Sequence, residues 1–99
     1  MKLQMHSIHF EADQKLTDFI QQKIDKLETF FDRIVEGEVF LKHNNNDGID
    51  NKTVEIKLFV PGATLFSEED APSFEAAADA AVEAMRRQLK KFKEKQMAH

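Results

Sequence analysis

The sequence predicts an α+β domain of order β-α-β-β-β-α, a four-stranded, mainly antiparallel sheet with two helices packed on one face. Three observations carry this expectation. Two segments repeat apolar residues at three- and four-residue steps, three shorter segments between them alternate apolar with polar residues, and turn-forming stretches separate the alternating segments. With 99 residues the chain is expected to form a single domain over 1–99, because two halves would each bury too little apolar surface.

The first segment, Lys2 to Phe10, alternates Leu3 and Met5 and then changes phase to Ile8 and Phe10, which predicts a strand with an irregularity near Ser7. Asp13 then offers a carboxylate cap to a helix whose apolar positions are Leu16, Phe19, Ile20, Ile24, Leu27, Phe30 and Phe31. From Val35 to Asn44, Val39 and Leu41 face opposite Glu38, Phe40 and Lys42, the period of a half-buried strand. The polar stretch Asn44 to Asn51, with Asp47 and Gly48, reads as a hairpin loop. Val54, Ile56, Leu58 and Val60 alternate with Glu55, Lys57 and Phe59 in the next strand. Pro61 and Gly62 turn the chain into a short edge strand, Ala63 to Ser67, and Glu68 to Pro72 reads as an acidic connection. Ser73 caps a final helix with Phe74, Ala77, Ala78, Ala81, Met85, Leu89 and Phe92 on its apolar side.

Composition narrows the function classes. The chain has no Cys, which excludes a disulfide framework and thiolate metal centres. Its apolar runs are short and its first ten residues hold no signal-peptide core, so a cytoplasmic protein without a membrane partner is expected. His6, His9, His43 and His99 have no ligand spacing on one element, and only three glycines leave no phosphate loop or nucleophile elbow. No enzyme, metal, cofactor or small-molecule substrate is expected.

The net charge of −4 argues against a polyanionic partner until it is resolved along the chain. Residues 1–85 carry 8 basic and 17 acidic side chains, net −9, whereas residues 86–99 carry 6 basic and 1 acidic, net +5. At about 100° per residue, Arg86, Arg87, Lys90, Lys91 and Lys93 share the face of the last helix opposite its apolar side. Complementation of the helix dipole accounts for some of these cations, but it is satisfied by fewer than six in ten residues. On the first helix Asp18, Asp25, Glu28 and Asp32 sort to one flank and Lys15, Lys26 and Arg33 to the other. Lys23 falls within the apolar arc, where a stem laid over the core would bring its ammonium out beside Lys26. If the basic flank of the first helix borders the last helix, both sets line one positive surface and the acids face elsewhere. There is no Tyr or Trp to stack bases, which favours backbone and shape recognition of folded RNA or duplex.

Phe40, Phe59 and Phe66 have the opposite strand parity to their apolar neighbours. They are read either as ordinary cross-strand packing that holds register or as an apolar patch on the open sheet face. The second reading makes the face a protein-contact surface with weak self-association.

The stretches LTDFIQQKIDKLETFFDRI, VFLK and AMRRQLKKFKEK together resemble the ribosome hibernation-promoting factors, also called the ribosome-associated inhibitor or sigma-54 modulation family, from about Leu3 onward. The resemblance implies a factor that binds the small ribosomal subunit in the mRNA and tRNA channel, silences idle ribosomes under stress or in stationary phase, and acts by steric occlusion. It also implies contacts to small-subunit rRNA from Lys23, Lys26 and Arg33 on the first helix and from Arg86, Arg87, Lys90, Lys91, Lys93 and Lys95 on the last. A chain ending directly after that helix looks like a short form of the family. The loops at 44–51 and 68–70 match no motif and carry no assigned role. The alternative function is a noncatalytic protein-interaction module that uses the open sheet face.

Overall fold

The computed structural model describes residues 1–44 and 51–97. Its elements follow the expected order: β1 (Lys2–Ser7), α1 (Gln14–Phe30), β2 (Glu36–Asn44), β3 (Asn51–Val60), β4 (Ala63–Ala71) and α2 (Phe74–Met97). The sheet order is β1-β2-β3-β4, with β1 parallel to β2 and the other pairs antiparallel. The parallel pair follows from the intervening helix, since the chain must cross back over the sheet before β2 can form. The Asn-rich turn expected between β2 and β3 lies mostly outside the described residues, but the Asn44–Asn51 register places the two strands as hairpin partners.

Both helices start where the caps place them. The Leu16 N–H donates to Asp13 Oδ1 at 2.8 Å, and the Ala76 N–H donates to Ser73 Oγ at 3.1 Å. Ile20, Ile24 and Leu27 of α1 and Ala77, Ala78, Ala81, Met85 and Leu89 of α2 are buried against Val39, Leu41, Val54, Ile56 and Leu58 of the sheet. Small Ala side chains in the first half of α2 allow that half of the helix a close approach to the sheet, and Met85 and Leu89 fill the space further along.

α1 stops at Phe30 with Phe31 as its C-cap, so Asp32 and Arg33, expected on the helix, lie in the turn that follows it. Two strand boundaries also differ from the sequence expectation. β1 ends at Ser7 instead of running to Phe10. The Ile8 N–H still reaches Leu41 O at 2.9 Å, but His9 takes φ 63°, a left-handed conformation that turns the chain out of the sheet. Phe10 is thereby delivered to the end of the domain where α2 begins, stacked on Phe74 at 5.0 Å and edge-on to His43 at 4.9 Å. At the other boundary β4 continues to Ala71, so Glu68, Glu69 and Asp70 are strand residues and not a connection. Their pairing explains it: Asp70 accepts from Thr53 Oγ at 2.6 Å, and Glu68 sits directly opposite Glu55. As an edge strand β4 holds these carboxylates exposed, a common protection against edge-to-edge pairing.

The Glu55–Glu68 pair makes the open face pH-sensitive. A hydrogen bond with the Glu55 carboxyl, then burial and the Glu55 charge, hold the Glu68 carboxyl above its ordinary value. Burial pushes Glu55 up, but its hydrogen bonds with Glu68 and Lys42 and the charges of Lys42 and Lys57 outweigh burial and leave it lowered. A raised carboxyl contributes stability below its unfolded pKa and loses it as pH rises through the folded pKa. Glu68→Gln is therefore expected to raise Tm at neutral pH, with the gain vanishing as pH falls below the ordinary glutamate pKa of 4.5; thermal melts at both pH values check it. A constant gain at all pH would show that the carboxylate contact is not its source.

Candidate nucleic-acid interface

The two helices run side by side in the same direction: Lys23 of α1 meets Asp79 early in α2, and Phe30 at the end of α1 meets Lys93 late in α2. The acidic flank of α1 turns toward β1. Glu28 receives the Met1 ammonium, while Asp18 and Asp25 accept from Gln14 and Gln21 along their own helix. The opposite, basic flank of α1 therefore borders α2.

A groove follows this helix pair, and Phe30 lines each of three successive cavities in it. The first, of about 270 Å³, is formed by Lys23, Lys26, Leu27 and Phe30 facing Asp79, Val82, Glu83 and Arg86. The second, of about 230 Å³, adds Arg87 and Lys90. The third, of about 360 Å³, is walled by Arg33 and Asp32 on one side and Lys93 and Gln96 on the other. The far end is locked by packing: Phe31 is edge-on to Phe92 at 5.7 Å, and Lys93 Nζ sits 5.2 Å from the Phe30 ring centre and donates to the Phe30 carbonyl at 3.4 Å. That carbonyl belongs to the last turn of α1, where a cation complements the helix dipole.

Of the residues expected from sequence, Lys26, Arg33, Arg86, Arg87, Lys90 and Lys93 are gathered along this groove, all exposed. Lys91 and Lys95 are not. They follow Gln88 at three- and four-residue steps, and Gln88 Nε2 donates to the Phe66 carbonyl of β4, so this flank of α2 faces the sheet edge. Lys23 is engaged, its ammonium 2.8 Å from Asp79 Oδ1 and 5.4 Å from the Phe19 ring. The bond joins two partly exposed side chains and contributes less than about 1 kcal/mol to stability.

Four groove residues differ from the sequence expectation. Asp32, grouped with the acids expected to face elsewhere, walls the third cavity opposite Lys93. Phe30 counts in the sequence only as an apolar helix position, whereas it lines the groove throughout. Asp79 and Glu83 are absent from a site defined by its cations alone. The same wheel places them at about 140° and 180°, within the basic arc, and would have found them.

On the opposite sheet face, Phe40 stacks on His6 at 4.9 Å and lies 5.9 Å from Lys57 Nζ. Phe59 pairs with Glu36 and Thr64, and Phe66, 44% exposed, pairs with Lys57. Each ring thus has a charged or polar partner across the strand pair. Among the described residues no group of three metal-ligating side chains occurs and no helix is long and apolar enough to cross a membrane.

Fold and groove define a class: a small α+β domain presenting cations from two parallel helices along one cleft. The profile of the family described as Sigma 54 modulation protein / S30EA ribosomal protein matches residues 3–97, and the chain belongs to that family, a non-enzymatic one. A Pseudomonas putida protein named ribosome hibernation promoting factor is 32% identical over 98 residues, covering 99% of this chain and 92% of its own. The protein of that name from Escherichia coli K12 is 30% identical with full coverage of both chains. Among solved structures, a ribosomal subunit interface protein from Coxiella burnetii superposes with TM-score 0.85 at 19% identity, covering 94% of this chain and 98% of its own. The Thermus thermophilus Protein Y N-terminal domain gives 0.81 at 24% identity, with coverages of 93% and 99%. These two likenesses concern the fold.

Proposed function

We propose that this protein is a cytoplasmic, ribosome-associated hibernation factor that docks on small-subunit rRNA through the interhelical groove and occludes the channel used by mRNA and tRNA. The names of its relatives support the ribosome as partner. The observation that carries the rRNA reading is the convergence of Lys26 and Arg33 with Arg86, Lys90 and Lys93 on a single groove, although the chain as a whole is acidic. Such a surface gathers phosphates, while the acidic flank of α1 and the carboxylates of β4 repel them, so electrostatics orients the domain as well as attracting it. Arg87 at the rim and Lys91 and Lys95 on the β4 side extend the positive surface around the end of α2, which suits a partner that surrounds the helix. Inhibition is then steric: a folded body held in the channel excludes the substrates of translation, with no covalent step.

Pelleting the protein with purified small ribosomal subunits across a salt series tests this. Neutralising about five phosphates gives a slope of roughly −3.5 to −4.5 in log K against log salt. Cosedimentation with large subunits instead, or binding indifferent to salt, overturns the proposal.

A further inference from the structure

Charge is graded along the helix pair. At the end where both helices begin, Glu11, Asp13 and Glu75 line a cavity together with Lys15, Phe10, Phe19 and Phe74. At the other end Arg33, Lys90 and Lys93 dominate. Parallel helices add their dipoles, so acids at the shared start and bases toward the shared end are each favoured where they stand. Asp79 sits where one regime gives way to the other, and it does more than mark the place. Its carboxylate reaches across from α2 to hold Lys23 at 2.8 Å, while Phe19 lies against the same ammonium. Glu83 is a weaker counterpart: its oxygen is 3.4 Å from Arg86 Nη1, one turn along the same helix. The Lys23 ammonium is thus held between a close carboxylate and a ring face, whereas the longer Glu83 contact leaves most of the five N–H donors of Arg86 open to a second anion.

We infer that Asp79 ends the polyanion footprint, withholding Lys23 from the bound phosphates and repelling any strand that would run on toward the helix starts. The inference rests on the proposed rRNA binding and deepens it by setting where along the groove the contact stops. Lys23 is then a residue that orders the helix pair, and the first cations to meet phosphate are Lys26 and Arg86.

The test is a set of variants pelleted with small ribosomal subunits across a salt series, with circular dichroism as the folding control. Removing the pair together, Lys23→Gln with Asp79→Asn, is expected to change the affinity by less than about twofold, whereas Lys26→Gln weakens it severalfold. Asp79→Asn is expected to tighten binding by roughly fivefold at low salt and to steepen the salt slope by about 0.7, the signature of one more neutralised phosphate. Asp79→Ser should do the same, which separates charge from the shape of the amide. Adding Lys23→Gln to Asp79→Asn should remove the added slope. An unchanged slope in both Asp79 variants, or a loss in the Lys23→Gln, Asp79→Asn double variant equal to that of Lys26→Gln, overturns the inference while leaving rRNA binding intact. Failure of the unaltered protein to pellet with small subunits would instead defeat the functional reading itself.

Discussion

Replacing Arg86, Arg87, Lys90 and Lys91 together by Ala is expected to abolish cosedimentation with small ribosomal subunits while leaving the far-ultraviolet circular dichroism spectrum nearly unchanged. All four side chains are exposed, and the residues that hold α2 to the sheet, Ala77, Ala78, Ala81, Met85 and Leu89, are untouched. Ala is also the best helix former, so the helix itself does not suffer. Each lost phosphate contact removes part of a salt-dependent attraction, and losing three or four at physiological salt lowers affinity by roughly 10²- to 10⁴-fold. Full retention of binding would mean that the basic face of α2 is only a solvated surface, and the ribosome would have to be reached by another part of the molecule.

The second large effect is on stability. Ile56 is fully buried in β3, paired with Val39 of β2 on one side and Ser67 of β4 on the other, at the middle of the sheet beneath the helices. Ile56→Ala leaves a cavity that neighbours on three elements cannot close, at a cost of about 3 kcal/mol. For a domain of this size the midpoint falls by roughly 12–24 °C. Urea or thermal unfolding measures it, and a loss below about 1 kcal/mol would show that the helices settle onto the sheet more freely than its packing implies.

The same physics explains how much of the site could be read without coordinates. Leu16, Ile20, Ile24 and Leu27 lie on one side of α1 because a helix returns every three or four residues, so the opposing acidic and basic flanks follow from spacing alone. Strand parity placed Val54, Ile56 and Leu58 on the core side and Phe40, Phe59 and Phe66 away from it for the same reason. β4 was underestimated because two successive carboxylates, Glu68 and Glu69, interrupt the alternation. Only the ladder to Glu55 and the Thr53–Asp70 hydrogen bond make them strand residues.

Periodicity along the chain thus determined the order of elements, the residues of the core and the existence of two basic helix faces, since each is a property of one segment and its own geometry. Tertiary structure decided what no single segment contains. The parallel alignment of α1 and α2 turned two faces into one groove, sent Lys91 and Lys95 to the side of β4, and set Asp79 against Lys23. A helix wheel fixes angles about one axis and is silent about what stands across from it. Which cations remain open to a phosphate depends on that second helix, because a charge acts through its neighbours as much as through its sign.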